Sequence, residues 1–153
     1  MSSRRLTGYL LPLLILLSGP ATALTTGTDA QRERFVQTER ALQQGNRAAF
    51  QQGVRELQDY ALLPYLIHAD LNARFPQIQT DEMDRFLERW GDSPLGQRLR
   101  TRWLGHLAGQ GRWEDYLRYY QDGLGATYVC QYHNALLRTG RRDQALDGGE
   151  TLW

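Results

Sequence analysis

The side chains best able to do chemistry are few and scattered. Cys130 and His133 stand three residues apart, a spacing that puts a thiolate and an imidazole on one helix face, where they could share a metal. A closed zinc site needs two more ligands, and His68 and His106 are isolated in sequence, so no metal is expected. His68 and Asp70 are two apart and do not face each other on a helix, which leaves His68 a structural histidine. The acids Asp81, Glu82 and Asp84, and further on Glu114 and Asp115, fall in what read as first helical turns, where the helix dipole favours negative charge. A general acid needs burial to raise its pKa, and no pattern around these carboxylates indicates it. There is no G-x-S-x-G elbow, Walker loop, G-x-G-x-x-G or H-E-x-x-H segment. The expectation is a chain with no catalytic residue, metal or cofactor of its own.

Cys130 is the only cysteine. Two readings stand: its disulfide partner lies outside this chain, or it is a buried free thiol packing as a small apolar group. Trp90, Trp103, Trp113 and Trp153, with Tyr60, Tyr65, Tyr116, Tyr119, Tyr120, Tyr128 and Tyr132, could form a platform for a glycan or peptide. Their helical spacing favours inter-helix core, with Tyr119 or Tyr120 the expected exposed exceptions.

These residues are carried by an all-α pattern. Asp29 is the expected N-cap of a first helix bearing Phe35, Ala41 and Leu42 and ending at Gly45, and Asn46 caps a second carrying Phe50, Val54 and Leu57. Pro64 opens a third helix that ends near Phe75-Pro76, Thr80 is the expected cap of a fourth ending at Gly91, and Ser93-Pro94 starts a fifth that runs to Gly109. Trp113, Tyr116, Leu117 and Tyr120 mark one further stripe, and Tyr128, Tyr132, Ala135, Leu136 and Leu137 another. Leu107, Gly111, Arg112 and Leu117 recur 29 residues later as Leu136, Gly140, Arg141 and Leu146, and Gly45 to Phe50 echoes the same turn. This spacing predicts an α-solenoid of antiparallel helical hairpins curving into an arc.

The 153 residues are 41% hydrophobic and 23% charged, enough for one domain with a modest core. All 18 basic residues are arginine and face 17 acids, so no net positive field exists to hold a nucleic-acid backbone. Arg4 and Arg5, the apolar run from Tyr9 to Leu17 broken by Pro12, and Ala21-Thr22-Ala23 fit a secretory signal peptide over residues 1–23, cleaved after Ala23. The apolar run is shorter than the roughly 20 residues of a membrane span, and Leu6-Thr7-Gly8 continues a twin-arginine pattern poorly. Cleavage leaves 16 arginines against 17 acids, a soluble exported product, most simply periplasmic, with no membrane binding by bulk electrostatics.

Phe86-Leu87, Ser93-Pro94-Leu95, Leu99-Arg100, Trp103-Leu104, Leu107, Gly111-Arg112-Trp113, Tyr119-Tyr120, Cys130-Gln131-Tyr132, Ala135-Leu136, Thr139-Gly140-Arg141, Ala145-Leu146 and Leu152-Trp153 resemble, in order and spacing, the N-terminal superhelical region of the soluble lytic murein transglycosylases. Weaker similarity reaches back to Phe35 through Leu63-Pro64-Tyr65-Leu66. The resemblance implies a horseshoe scaffold, residues 24–153 being part of it, for a periplasmic enzyme that cleaves the β-1,4 bond between N-acetylmuramic acid and N-acetylglucosamine to leave a 1,6-anhydro end. In that family the cut is made by a C-terminal lysozyme-like domain with a Glu-Ser motif, and this chain has no Glu-Ser pair. The resemblance therefore implies a fragment, inactive alone, whose contact with peptidoglycan runs through the absent domain and whose other partners are cell-wall synthesis proteins. It also matches Cys130 to a family cysteine whose partner lies beyond Trp153. An apolar-periodic stretch that stops at Leu152-Trp153 agrees with truncation. The alternatives are a stand-alone periplasmic helical adaptor that binds protein segments, and a carbohydrate-binding module.

Overall fold

The computed structural model describes residues 23–75 and 77–149, with no account of the side chains of residues 23–27 and 148–149. The expected signal peptide, apart from Ala23, and the Leu152-Trp153 end lie outside these residues. Among the described residues every regular element is a helix: α1 (Ala23–Gln43), α2 (Arg47–Glu56), α3 (Leu63–Arg74), α4 (Thr80–Trp90), α5 (Pro94–Gly109), α6 (Trp113–Tyr119), α7 (Ala126–Arg138) and α8 (Arg142–Gly149).

Two helix starts differ from the sequence expectation. The first helix begins at Ala23, and Asp29 lies inside it, 3.5 Å from Arg32 one turn on. Once an amphipathic helix is nucleated, each residue added at its end gains a hydrogen bond, so the polar Thr25 to Thr28 lead joins it. The fourth helix is capped by Gln79, whose N–H donates to the Glu82 carboxylate at 3.0 Å. The Thr80 hydroxyl is taken by Arg112 at 3.2 Å, reaching across from the next hairpin. The other boundaries follow local chemistry. Asn46 accepts from the Ala49 N–H at 3.1 Å, Ser93 accepts from the Gly96 N–H at 3.1 Å, and Phe75 leaves the helical region before Pro76 with ψ 131°.

The 29-residue repeat is a repeat of turns. At Gly111 and Gly140 the chain enters the left-handed region, φ 67° and 79°, and the following arginine N–H bonds back five residues to Leu107 O at 2.9 Å and Leu136 O at 2.8 Å. Gly45 makes the same turn, with Asn46 N–H on Ala41 O at 2.8 Å. This is the Schellman closure, which satisfies orphan carbonyls at a helix end and reverses the chain.

The hairpins stack in two layers. Odd-numbered helices α1, α3, α5 and α7 pack in succession, and α2, α4, α6 and α8 form the second layer against them. This is the α-solenoid expected from the sequence. The buried side chains fall into two clusters. Ala41, Phe50, Leu57, Leu63 and Leu66 form the first, and a larger one is centred on Leu71, Met83, Phe86, Leu99, Trp103, Leu104, Leu107, Tyr116 and Ala135. Ile67 and Trp90 pack against both.

Most of the aromatic load is core, as the spacing predicts, but the exceptions are different ones. Tyr119 is buried, its hydroxyl donating to Asp84 Oδ1 at 2.5 Å, and Tyr120 stacks on Tyr132 at 4.2 Å. Burial first, then that hydrogen bond, pushes the Tyr119 phenol well above its usual range. Among the described residues the exposed aromatic is Tyr65, 55% accessible at the start of α3. Leu137 and Leu146 of the last hairpin are also exposed.

Candidate functional site

Among the described residues α2 and α4 of the second layer do not pack closely on one another, so α3 beneath them forms the floor of a groove. The first groove lies between α2 and α4 over α3 and encloses about 390 Å³. Its floor is apolar, built from Phe50 and Val54 of α2, Ile67 and Leu71 of α3, and Phe86 and Trp90 of α4. Its walls carry arginine at helical spacing, Arg47 and Arg55 on α2 and Arg85 and Arg89 on α4, with Arg74 from α3.

One end of this groove is closed by a charge ladder that links the three helices. Asp70, only 4% exposed, is bound by Arg47 and by Arg74, whose Nη2 lies 3.0 Å from Oδ2. Arg74 continues to Glu82 at 2.6 Å. A carboxylate this deep is stable only with partners on its oxygens, and the two guanidiniums supply them. Nothing local in the sequence marks Asp70 as buried. Its i, i+4 relation to Arg74 was legible on the helix, but the partner on α2 depends on how the hairpins stack. Arg74 holds the Glu82 carboxyl below the usual range, chiefly by its hydrogen bond.

That depression fixes a pH dependence. The stabilisation from Glu82 is fully present above the ordinary glutamate range and is lost as pH falls through its lower folded value. Replacing Glu82 with Gln should cost about 1 kcal/mol at neutral pH. The difference from the parent should shrink to nothing on acidification, read by urea unfolding across pH 3 to 7. An equal difference at both ends of the range would contradict the linkage.

At the other end the guanidiniums lack acidic partners. Arg55 bonds only to the Gln52 side-chain oxygen at 2.6 Å, and Arg89 to the Gln58 side chain and carbonyl at 3.1 and 2.9 Å, while stacking 4.7 Å over Trp90. Neither pairs with a carboxylate among the described residues. Arg85 pairs with Asp81 at 2.7 Å, both exposed, a contact of small net energy.

The next groove, between α4 and α6, is crossed by side chains instead. Asp84 accepts from Tyr119 and from Arg118 at 2.7 Å. Arg100 lines it, 5% exposed, with Nη1 buried and unpartnered, and burial lowers its pKa against the opposing field of Asp92.

The residues singled out from sequence do not converge. Cys130 is exposed on α7, which removes the buried-thiol reading. His133 lies one turn on, with Nδ1 3.0 Å from the Ala145 carbonyl, so its ring ties α7 to α8. Among the described residues no three His, Cys, Asp or Glu side chains gather as a metal requires. His68 and Asp70 part company, since Asp70 turns to the arginines and His68 lies against Phe86 with its ring centroid 6.2 Å away. Burial, then Arg98 and Arg102, lowers the His68 pKa. Arg55 and Arg89 carry no signal in the sequence, because nothing local distinguishes them from solvated surface arginines.

Fold and side chains together define a class: a stacked-hairpin helical array in which Asp70, Asp84 and His133 tie neighbouring helices together. No protein-family model matches the chain. It is 26% identical over 139 residues to the soluble lytic murein transglycosylase of Escherichia coli strain K12, spanning 90% of this chain and 22% of that protein. The Salmonella typhimurium protein of the same name is 25% identical over 126 residues, 82% of this chain and 20% of its own length. The solved complex of the 70-kDa soluble lytic transglycosylase with bulgecin A superposes with a TM-score of 0.67 at 26% identity, over 82% of this chain and 20% of that one. The chain is thus similar to the soluble lytic murein transglycosylases over nearly all of its described length and spans about a fifth of the length of those it matches. No helix among the described residues is long and apolar enough to cross a membrane.

Proposed function

We propose that this chain supplies scaffold, not catalysis, to a periplasmic peptidoglycan lytic transglycosylase. In this reading residues 1–23 are a signal peptide removed after Ala23, and residues 24–153 are part of a superhelix that positions a catalytic domain on the murein glycan. The observation that carries it is the match of nine-tenths of the chain in sequence, and of about four-fifths in helix packing, to about one fifth of such enzymes. The fate of the acids supports it. A general acid must hold its proton near neutral pH, whereas Glu82 is pushed the other way by its hydrogen bond from Arg74. Cys130, exposed on α7, is proposed as one half of a disulfide whose other half lies C-terminal to Trp153 in the complete protein.

The chain produced in a Gram-negative host should be recovered from the periplasm with Leu24 as its first residue by intact mass. Incubated alone with murein sacculi, it should release no 1,6-anhydro-muropeptides. Retention of residues 1–23 would overturn the export assignment, and release of anhydro products would overturn the scaffold assignment.

A further inference from the structure

The groove over α3 has an imbalance that packing does not account for. Its lining carries five arginines and two carboxylates, and both carboxylates are already consumed at one end by Arg47 and Arg74. The floor beyond them is apolar and aromatic, and Arg55 and Arg89 overlook it from opposite walls with no acidic partner among the described residues. We propose that this groove binds an extended acidic peptide segment, its carboxylates held by Arg55, Arg85 and Arg89 and its apolar side chains seated on Val54, Ile67 and Trp90.

Three observations select this occupant. The excess charge is positive and confined to the rims, so a ligand must carry negative groups at its edges and not at its centre. The floor offers apolar surface, which a free inorganic anion or a fully hydrated polyanion would leave wet. Arg85 and Arg89 stand one turn apart on α4, about 6 Å along its axis, and the exposed Asp81 partner of Arg85 is one that a ligand carboxylate displaces at small cost. Alternate residues of an extended chain repeat at about 6.7 Å, so acids at every second residue reach successive guanidiniums while the residues between turn down onto the floor. Arginine forks suit carboxylate in geometry as well as charge. Arg89, stacked on Trp90, is already held in place and loses little side-chain freedom on binding.

The inference does not rest on the scaffold reading. The sacculus assay tests one and the titration below the other, so either can fail alone. The full chain is titrated into a fluorescein-labelled octapeptide of alternating Glu and Leu, followed by anisotropy. Saturable binding is expected, weakening as salt rises. Arg55→Gln combined with Arg89→Gln should weaken it about tenfold or more. Arg138→Gln, on an exposed arginine of α7, should change it less than about twofold. The same peptide with Gln for Glu should not bind. Far-UV circular dichroism confirms that each variant folds, and Arg55→Gln alone serves if the pair does not. No saturable binding by the parent chain, equal binding of the Gln peptide, or an equal loss with Arg138→Gln would each overturn the proposal. Quenching of tryptophan emission by chitotetraose without any response to the peptide would also overturn it, assigning the groove to a glycan.

Discussion

Replacing Arg47 and Arg74 together with Met should destabilise the chain by about 3–5 kcal/mol, a large share of what a domain this size has to lose. The reason is the position of the acid. Asp70 is 4% exposed, and both groups that satisfy its oxygens are side chains from elsewhere in the ladder. Removing them leaves a buried carboxylate with nothing to replace water. The reverse change is expected to be much milder. Arg47 and Arg74 are 43% and 28% exposed at their side chains, so without Asp70 they are solvated where they stand. Asp70→Asn alone should therefore cost less than the double arginine change, and adding Asp70→Asn to the double variant should recover most of the loss. Urea unfolding followed by tryptophan emission measures all four chains. A double variant within about 1 kcal/mol of the parent, or no recovery on adding Asp70→Asn, would mean that the ladder is ornamental.

Trp103→Ala should cost about 3–5 kcal/mol by opening a cavity at the centre of the larger core. Trp103 is 1% exposed, stacks on His106 with centroids 5.3 Å apart, and receives the edges of Phe75 and Tyr119. These neighbours come from three elements, so no single side chain can swing in to fill the void. Trp103→Phe tests a second point. The indole Nε1 is buried without an acceptor, so the smaller ring gives up packing volume but also removes a stranded donor. Its cost should be well under half that of Ala in a thermal melt. Equal costs for the two variants would show that the ring face contributes little and the indole edge nearly everything.

Much of the fold was legible residue by residue. Asn46, Pro64, Gly91, Ser93-Pro94, Gly111 and Gly140 mark boundaries because each satisfies or forbids a specific backbone hydrogen bond, a local matter. Asp29 and Thr80 misled because a cap residue competes with helix propagation on one side and with distant partners on the other, and Arg112 claims the Thr80 hydroxyl from 32 residues away. Tyr119 misled for the same reason, since the Asp84 that buries it lies 35 residues earlier. The groove was not legible at all. It exists because second-layer helices are held apart by the helix below, and whether an arginine on such a helix faces an acid or open space depends on two elements that the intervening chain does not reveal.

Among the described residues the two hydrophobic clusters share two packed side chains, Ile67 and Trp90, and both line the groove. The two side chains on which both clusters rest are thus also part of the groove's apolar floor, and α3, which carries Leu66 of one cluster and Leu71 of the other, runs unbroken beneath it. A molecule seated there touches the side chains that both clusters share, so its affinity and the packing of the two clusters are linked quantities, each shifting the other by the same free energy.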